Sequence, residues 1–187
     1  MSDRLYLDHN ATSPLRPVCR EAMLDAMEAP RNASSVHAEG RAAKHVVERA
    51  SASLAERLSC PASSLVFTSG GTEAVHTGIF GLVRGGPKVQ RVFVSALEHD
   101  GTIDLHWLEE RLIQHAADDG GSFLLCLMLA NNETGVVQPV AEASALARRH
   151  GGYTFVGAVQ ALFKVGLEVS TLGADVVALS AHNAGGP

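Results

Sequence analysis

Phe123-Leu124-Leu125-Cys126-Leu127-Met128-Leu129-Ala130 is an unbroken apolar run, and it ends in the polar turn Asn131-Asn132-Glu133-Thr134-Gly135. An apolar segment of strand length without polar alternation must be covered on both faces, which places it in the middle of a parallel sheet clothed by helices. Downstream, Pro139 opens a helical stretch through His150, and residues 153–156 and 175–180 read as two further strands. Upstream, residues 91–96 are rich in Val and Phe and read as a strand, while Leu105, Leu108 and Leu112 repeat at helical spacing.

Farther toward the N-terminus, residues 65–68 read as a short buried strand that runs into Ser69-Gly70-Gly71-Thr72-Glu73 and then a helix over 74–83. Ala43, Val47, Ala50, Leu54 and Leu58 mark one face of a long helix stopped by Pro61. Ser13 followed by Pro14 reads as an N-cap and first turn, opening a helix through Val18, Ala22 and Ala26 that ends near Pro30. Strands alternating with helices predict an α/β fold of three layers, with a mostly parallel sheet covered by helices. The chain shows no internal repeat or interdomain linker, so residues 1–187 are expected to form a single domain.

Composition narrows the function classes. The 187 residues are 46% hydrophobic and 19% charged, enough apolar content for a real core. Twenty acidic against fifteen basic side chains give a formal charge of -5, so no nucleic-acid partner is expected. Cys19, Cys60 and Cys126 show no C-x-x-C spacing, and the nine histidines show no H-E-x-x-H spacing, so neither a disulfide framework nor a metal site is expected. Asp3 and Arg4 interrupt the place of an apolar signal core and no apolar run reaches membrane-spanning length; the expectation is a soluble, cytoplasmic protein away from membranes.

Three turns carry the chemistry. Glycines between a strand and a helix let backbone N–H groups approach a phosphate at the positive end of the helix, and Thr72 adds a hydroxyl; a capped tight turn explains the same residues equally well. The segment is neither a Walker loop nor G-x-G-x-x-G, which disfavours a nucleotide. No G-x-S-x-G elbow supports serine hydrolase chemistry. The Asn131-Asn132 pair follows the most apolar strand at its carboxyl end, where open α/β sheets place ligands, and Gln160 has the same standing after the strand at 153–156. His99 and His182 also follow strands.

Taken in order, these turns form a larger pattern: residues 6–12 (Tyr-Leu-Asp-His-Asn-Ala-Thr), Ser34-Ser35-Val36-His37, Thr68-Ser69-Gly70-Gly71-Thr72-Glu73, Glu98-His99, residues 131–139, Ala158-Val159-Gln160-Ala161 and Ser180-Ala181-His182. The pattern resembles the cysteine desulfurases, class V aminotransferase-like enzymes of fold type I that use pyridoxal phosphate. The resemblance implies that Gly71, Thr72, Ser180 and His182 hold the cofactor phosphate, that His99 stacks on the pyridine ring and helps move protons, and that Asn132 and Gln160 bind the ring hydroxyl. It also implies L-cysteine as substrate, alanine and an enzyme persulfide as products, a sulfur acceptor protein of the kind that serves iron–sulfur cluster assembly, and a homodimer.

Two positions depart from that pattern. Asn183 stands where the family's lysine forms an imine with the cofactor, and an amide cannot do so. Gly157 stands where the family has an aspartate that keeps the pyridine nitrogen protonated. Between His99 and Thr102 the sequence also omits a helix and strand of the family, which predicts a gap in the sheet. The pattern stops soon after Asn183, so the C-terminal small domain and the persulfide-forming cysteine are expected to be absent, leaving an incomplete large domain. These departures predict impaired turnover; the alternative is a degenerate pseudoenzyme or gene fragment, a non-catalytic binding partner of full-length relatives. Lys164 is the nearest remaining amine in sequence.

Overall fold

The structure is a computed structural model that describes residues 5–28, 32–85, 89–95, 101–118 and 120–187. In chain order the helices and strands are α1 (Pro17–Met27), α2 (Ala38–Leu58), α3 (Gly71–Gly85), β1 (Arg91–Val94), α4 (Leu105–Ala117), β2 (Phe123–Met128), α5 (Val140–Arg149), β3 (Tyr153–Gly157) and β4 (Val176–Ala178). Among the described residues the sheet has four strands in the order β1-β2-β3-β4. Every neighbouring pair is parallel, with Phe93 opposite Leu125, Cys126 opposite Phe155 and Val156 opposite Val177.

The apolar run at 123–130 explains the layering. Side chains alternate across a strand, so Phe123, Leu125 and Leu127 pack toward one face with Leu108 and Leu112 of α4 and Val140, Ala143 and Ala147 of α5. Leu124 and Cys126 point the other way, with Phe155 and Ala178, against Val75, Ile79 and Leu82 of α3. The result is the three-layer arrangement expected from the sequence. Phe123, Leu124 and Leu112 are wholly buried, each stabilising the fold by about 1.5–3 kcal/mol relative to exposure. Helix α3 lies close on its face because Gly78 has no side chain: a Cβ there would stand 2.7 Å from Phe155 Cε2 and 2.9 Å from Val176 Cγ1.

Three local expectations are corrected. The first helix starts at Pro17, not Pro14, after Arg16 in extended conformation. Ser13 does not cap it, because its hydroxyl donates to Asn183 O (3.0 Å) and its N–H to His182 O (2.9 Å). Residues 65–68 form no described strand, and Val66 and Phe67 are 77% and 59% exposed. Apolar content there is real, but no strand among the described residues pairs with it. The expected gap in the sheet is also absent: β1 pairs directly with β2 and forms the sheet edge, with Val94 66% exposed. Helix α2 ends as predicted before Pro61, with Ser59 in the left-handed conformation at its C-cap. No helix among the described residues is long and apolar enough to cross a membrane.

Candidate functional site

Because all four strands run the same way, the segments that follow them emerge along one edge: Asn131 and Asn132 after β2, Val159 and Gln160 after β3, Ser180 and His182 after β4. The N-terminus of α3 meets this edge. A Cβ on Gly71 would lie 3.4 Å from both Cβ and Oγ of Ser180 and 4.0 Å from Val159 Cγ2. Around this approach is a cleft of about 390 Å³ lined by Gly71, Thr72, Val75, His76, Val159, Ser180 and His182. The four residues expected to hold a phosphate therefore share one cleft.

The local chemistry of α3 explains why its first turn stays available. The first N–H groups of a helix have no intrahelical carbonyl and carry the positive end of its dipole. Glu73 turns back, accepting from both the backbone N–H and the hydroxyl of Ser69, each at 2.6 Å. Those two donors hold the Glu73 carboxyl below its ordinary value, the hydroxyl contributing most. Thr68 Oγ donates to Gly70 O at 3.0 Å. The negative charge is thereby tied to Ser69, on the turn preceding the Gly71-Thr72 step. His76, one turn into α3, donates from Nδ1 to Thr72 O at 2.8 Å and lies nearly parallel to the Phe80 ring at 6.0 Å. Sequence reading did not single out His76; its i+4 spacing from Thr72 was the available signal.

A second cluster is centred on Gln160. Its Nε2 donates to Asn10 O (2.9 Å), and its Oε1 accepts from Lys164 Nζ (2.8 Å). Lys164 Nζ also donates to His9 O (3.1 Å) and Asn10 Oδ1 (3.0 Å), while Asn10 Nδ2 donates to Asn132 O (2.7 Å). Residues 9–16 thus run as a strap across the ends of β2, β3 and β4; Thr12 Oγ lies 3.3 Å from His182 Nδ1, and Arg16 N–H donates to Gly185 O. The strap connects the Gln160 cluster to the cleft at His182.

The remaining expected residues fall as follows. Asn132 is exposed, whereas Asn131 is 6% exposed and its Oδ1 accepts from the N–H groups of Glu133 and Thr134, so it builds the turn. Asn183 is 3% exposed and its Oδ1 has no hydrogen-bond partner among the described residues. Gly157 ends β3, and a Cβ there would meet only Leu127 O, at 3.8 Å. His99 lies outside the described residues. Gln138, which sequence reading passed over, is 8% exposed and holds the loop after 100: Oε1 accepts from Ile103 N–H and Nε2 donates to Gly101 O, both at 2.8 Å.

Residues 5–112 and 90–187 match the family model described as aminotransferase class-V. The chain is 32% identical over 207 residues to an IscS-like cysteine desulfurase of Mycobacterium tuberculosis, covering 97% of this chain and 53% of that protein. It is 34% identical over 212 residues to a cysteine desulfurase of Cereibacter sphaeroides, covering 99% and 53%. A solved structure of a NifS-like protein from Rickettsia africae matches with a TM-score of 0.85 at 30% identity, covering 97% of this chain and 55% of that one. The chain spans about half the length of the curated relatives it matches. The matched stretches, at 207 and 212 residues, exceed the whole 187-residue chain, so the relatives carry residues that this chain skips.

Proposed function

This chain belongs to the aminotransferase class-V family, and on that premise we propose that it is a cysteine desulfurase-like protein that holds pyridoxal phosphate in the cleft between α3 and the end of β4. The observation that carries this reading is the approach of Gly71 to Ser180, which a side chain at 71 would fill. The donor set suits the group: helix N–H groups, the Thr72 and Ser180 hydroxyls and the His182 ring are what a phosphate dianion requires. When bound, the cofactor supplies an electron sink for bonds at the α-carbon of an amino acid.

This chain's own residues do the holding. Gly71 and Thr72 offer N–H groups at the positive end of α3; Ser180 and His182 close the other side. Gln160 has a second Nε2 hydrogen free of the Asn10 bond to donate to a ring oxygen, and Asn132 adds an exposed amide. His99 is assigned ring stacking and proton movement. Gly157 offers no carboxylate to the ring nitrogen, and Asn183 offers no amine. Residues 1–187 act as one cofactor-binding domain, in the cytoplasm, with L-cysteine as the amino acid, a sulfur acceptor protein downstream and a second copy as partner. The burial of Asn183, an amide at the position of the family's lysine, favours a second reading, a pseudoenzyme that binds without catalysis.

Titration of the purified chain with pyridoxal phosphate, followed by cofactor fluorescence and competed with inorganic phosphate, tests the holding role. Saturable binding weakened by phosphate is expected. Absence of saturable binding sinks the cofactor reading. Alanine release from L-cysteine by the loaded chain separates the two versions: none supports the pseudoenzyme.

A further inference from the structure

The chain has three lysines, and they differ sharply in setting. Lys44 lies on α2, 3.7 Å from Glu48 and well exposed. Lys88 lies outside the described residues. Lys164 extends its amine into the edge where the strands end, within hydrogen-bond distance of Gln160 Oε1, Asn10 Oδ1 and His9 O. All three partners are neutral oxygens that accept from Nζ, so carbonyl capture must release some of them. Its primary amine, on a flexible four-carbon stem, is the group that forms imines with carbonyl compounds.

A second feature points to the same residue. Phe163, immediately before it, has φ of 60°, a left-handed conformation that costs a bulky non-glycine residue of order 1–3 kcal/mol. The turn is nonetheless held firmly: Lys164 and Val165 both donate backbone N–H to Ala161 O, and Ala161 is wholly buried. Phe163 itself is 59% exposed, so core packing does not account for the conformation. Its consequence is to turn the chain so that Lys164 reaches back to Gln160, four residues earlier.

We infer that Lys164 supplies the amine that captures the aldehyde of pyridoxal phosphate, in place of the lysine that Asn183 displaces. The inference rests on the cofactor reading above and on Gln160 holding the ring. The step is balanced without any redox partner. The neutral Lys164 amine adds its electron pair to the aldehyde carbon, nitrogen gives up its two hydrogens, and the carbonyl oxygen leaves as water while the C=N bond forms. The strap carries the remaining cost, because Nζ must release His9 O and Asn10 Oδ1.

The test incubates the full chain with pyridoxal phosphate, records the imine absorption, reduces with borohydride and locates the adduct by peptide mass, in parallel with retention of unreduced cofactor after gel filtration. One adduct per chain on Lys164, suppressed by inorganic phosphate, is the expected result. Lys164→Arg keeps three donors for the same oxygens but forms no stable imine, so it should lose the absorption and the adduct entirely while keeping the thermal transition. An adduct on Lys44, Lys88 or the terminal amine with Lys164 unmodified overturns the inference. Retained cofactor without any Lys164 adduct overturns it too, and leaves the cofactor reading standing. Absence of both retention and adduct overturns the inference together with that reading.

Discussion

Gly71 and Ser180 face one another across the start of α3 and the end of β4, so closely that a Cβ on Gly71 would stand 3.4 Å from Ser180 Oγ. A valine at 71 places branched carbon where an anion would meet the helix N–H groups. Gly71→Val should weaken pyridoxal phosphate or inorganic phosphate binding at least tenfold, about 1.4 kcal/mol, with the fold kept. A titration of the variant that matches the parent chain would remove the cleft from consideration.

Gly78 performs a purely structural role, letting α3 sit against Phe155 and Val176. Gly78→Ala puts a methyl 2.7 Å from the Phe155 ring, and overpacking of this kind costs about 1–3 kcal/mol. Urea unfolding should show a lower midpoint with an unchanged slope.

Gly157 is different, because its site has room. With only Leu127 O, at 3.8 Å, near a Cβ, Gly157→Ala should be neutral or stabilising by up to about 1 kcal/mol through reduced chain entropy. Gly157→Asp should melt lower than Gly157→Ala in the absence of cofactor, since a carboxylate there gains no donor from Leu127 O. Equal melting temperatures for the two variants would contradict that cost.

The bare sheet edge predicts association. Val94 is 66% exposed on β1, which stands at the edge of the sheet formed by the described residues, and such edges template pairing between chains. Val94→Lys should raise the monomer fraction in sedimentation velocity without lowering the melting temperature. No change in the size distribution would exonerate this edge.

Glu73 gives the helix cap a defined pH dependence. Its carboxyl is held below the ordinary value of 4.5, first by the Ser69 hydroxyl and then by the Ser69 N–H. A group depressed in the folded state contributes stability above its unfolded value and loses that contribution as pH falls. The melting-temperature difference between the parent chain and Glu73→Gln should therefore be present above about pH 4.5 and shrink below it. A difference that grows on acidification would contradict the Ser69 contacts.

Much of the fold was legible because its signals are local. The apolar run at 123–130, the helical spacing of Leu105, Leu108 and Leu112, and the glycine turn at 70–71 each depend on residues a few positions apart. That Gly71, Thr72, Ser180 and His182 come to line one cleft follows from their places at strand and helix ends, which parallel strands bring to one edge. Partner choice was not legible. Residues 65–68 carry strand composition but no described strand beside them, and Ser13 has the form of a cap yet donates to Asn183 O, 170 residues away.

The sequence by itself determined the layers, the direction of the strands and the chemistry available at their carboxyl ends, because side-chain period and turn residues act over short spans. Only the tertiary structure decided that Asn131 builds the turn while Asn132 stays exposed, that Asn183 is buried, and that Lys164 reaches Gln160 and the strap at Asn10. Those outcomes depend on which polar groups meet once the chain is closed, and a hydrogen bond forms only between atoms that folding has brought within about 3 Å.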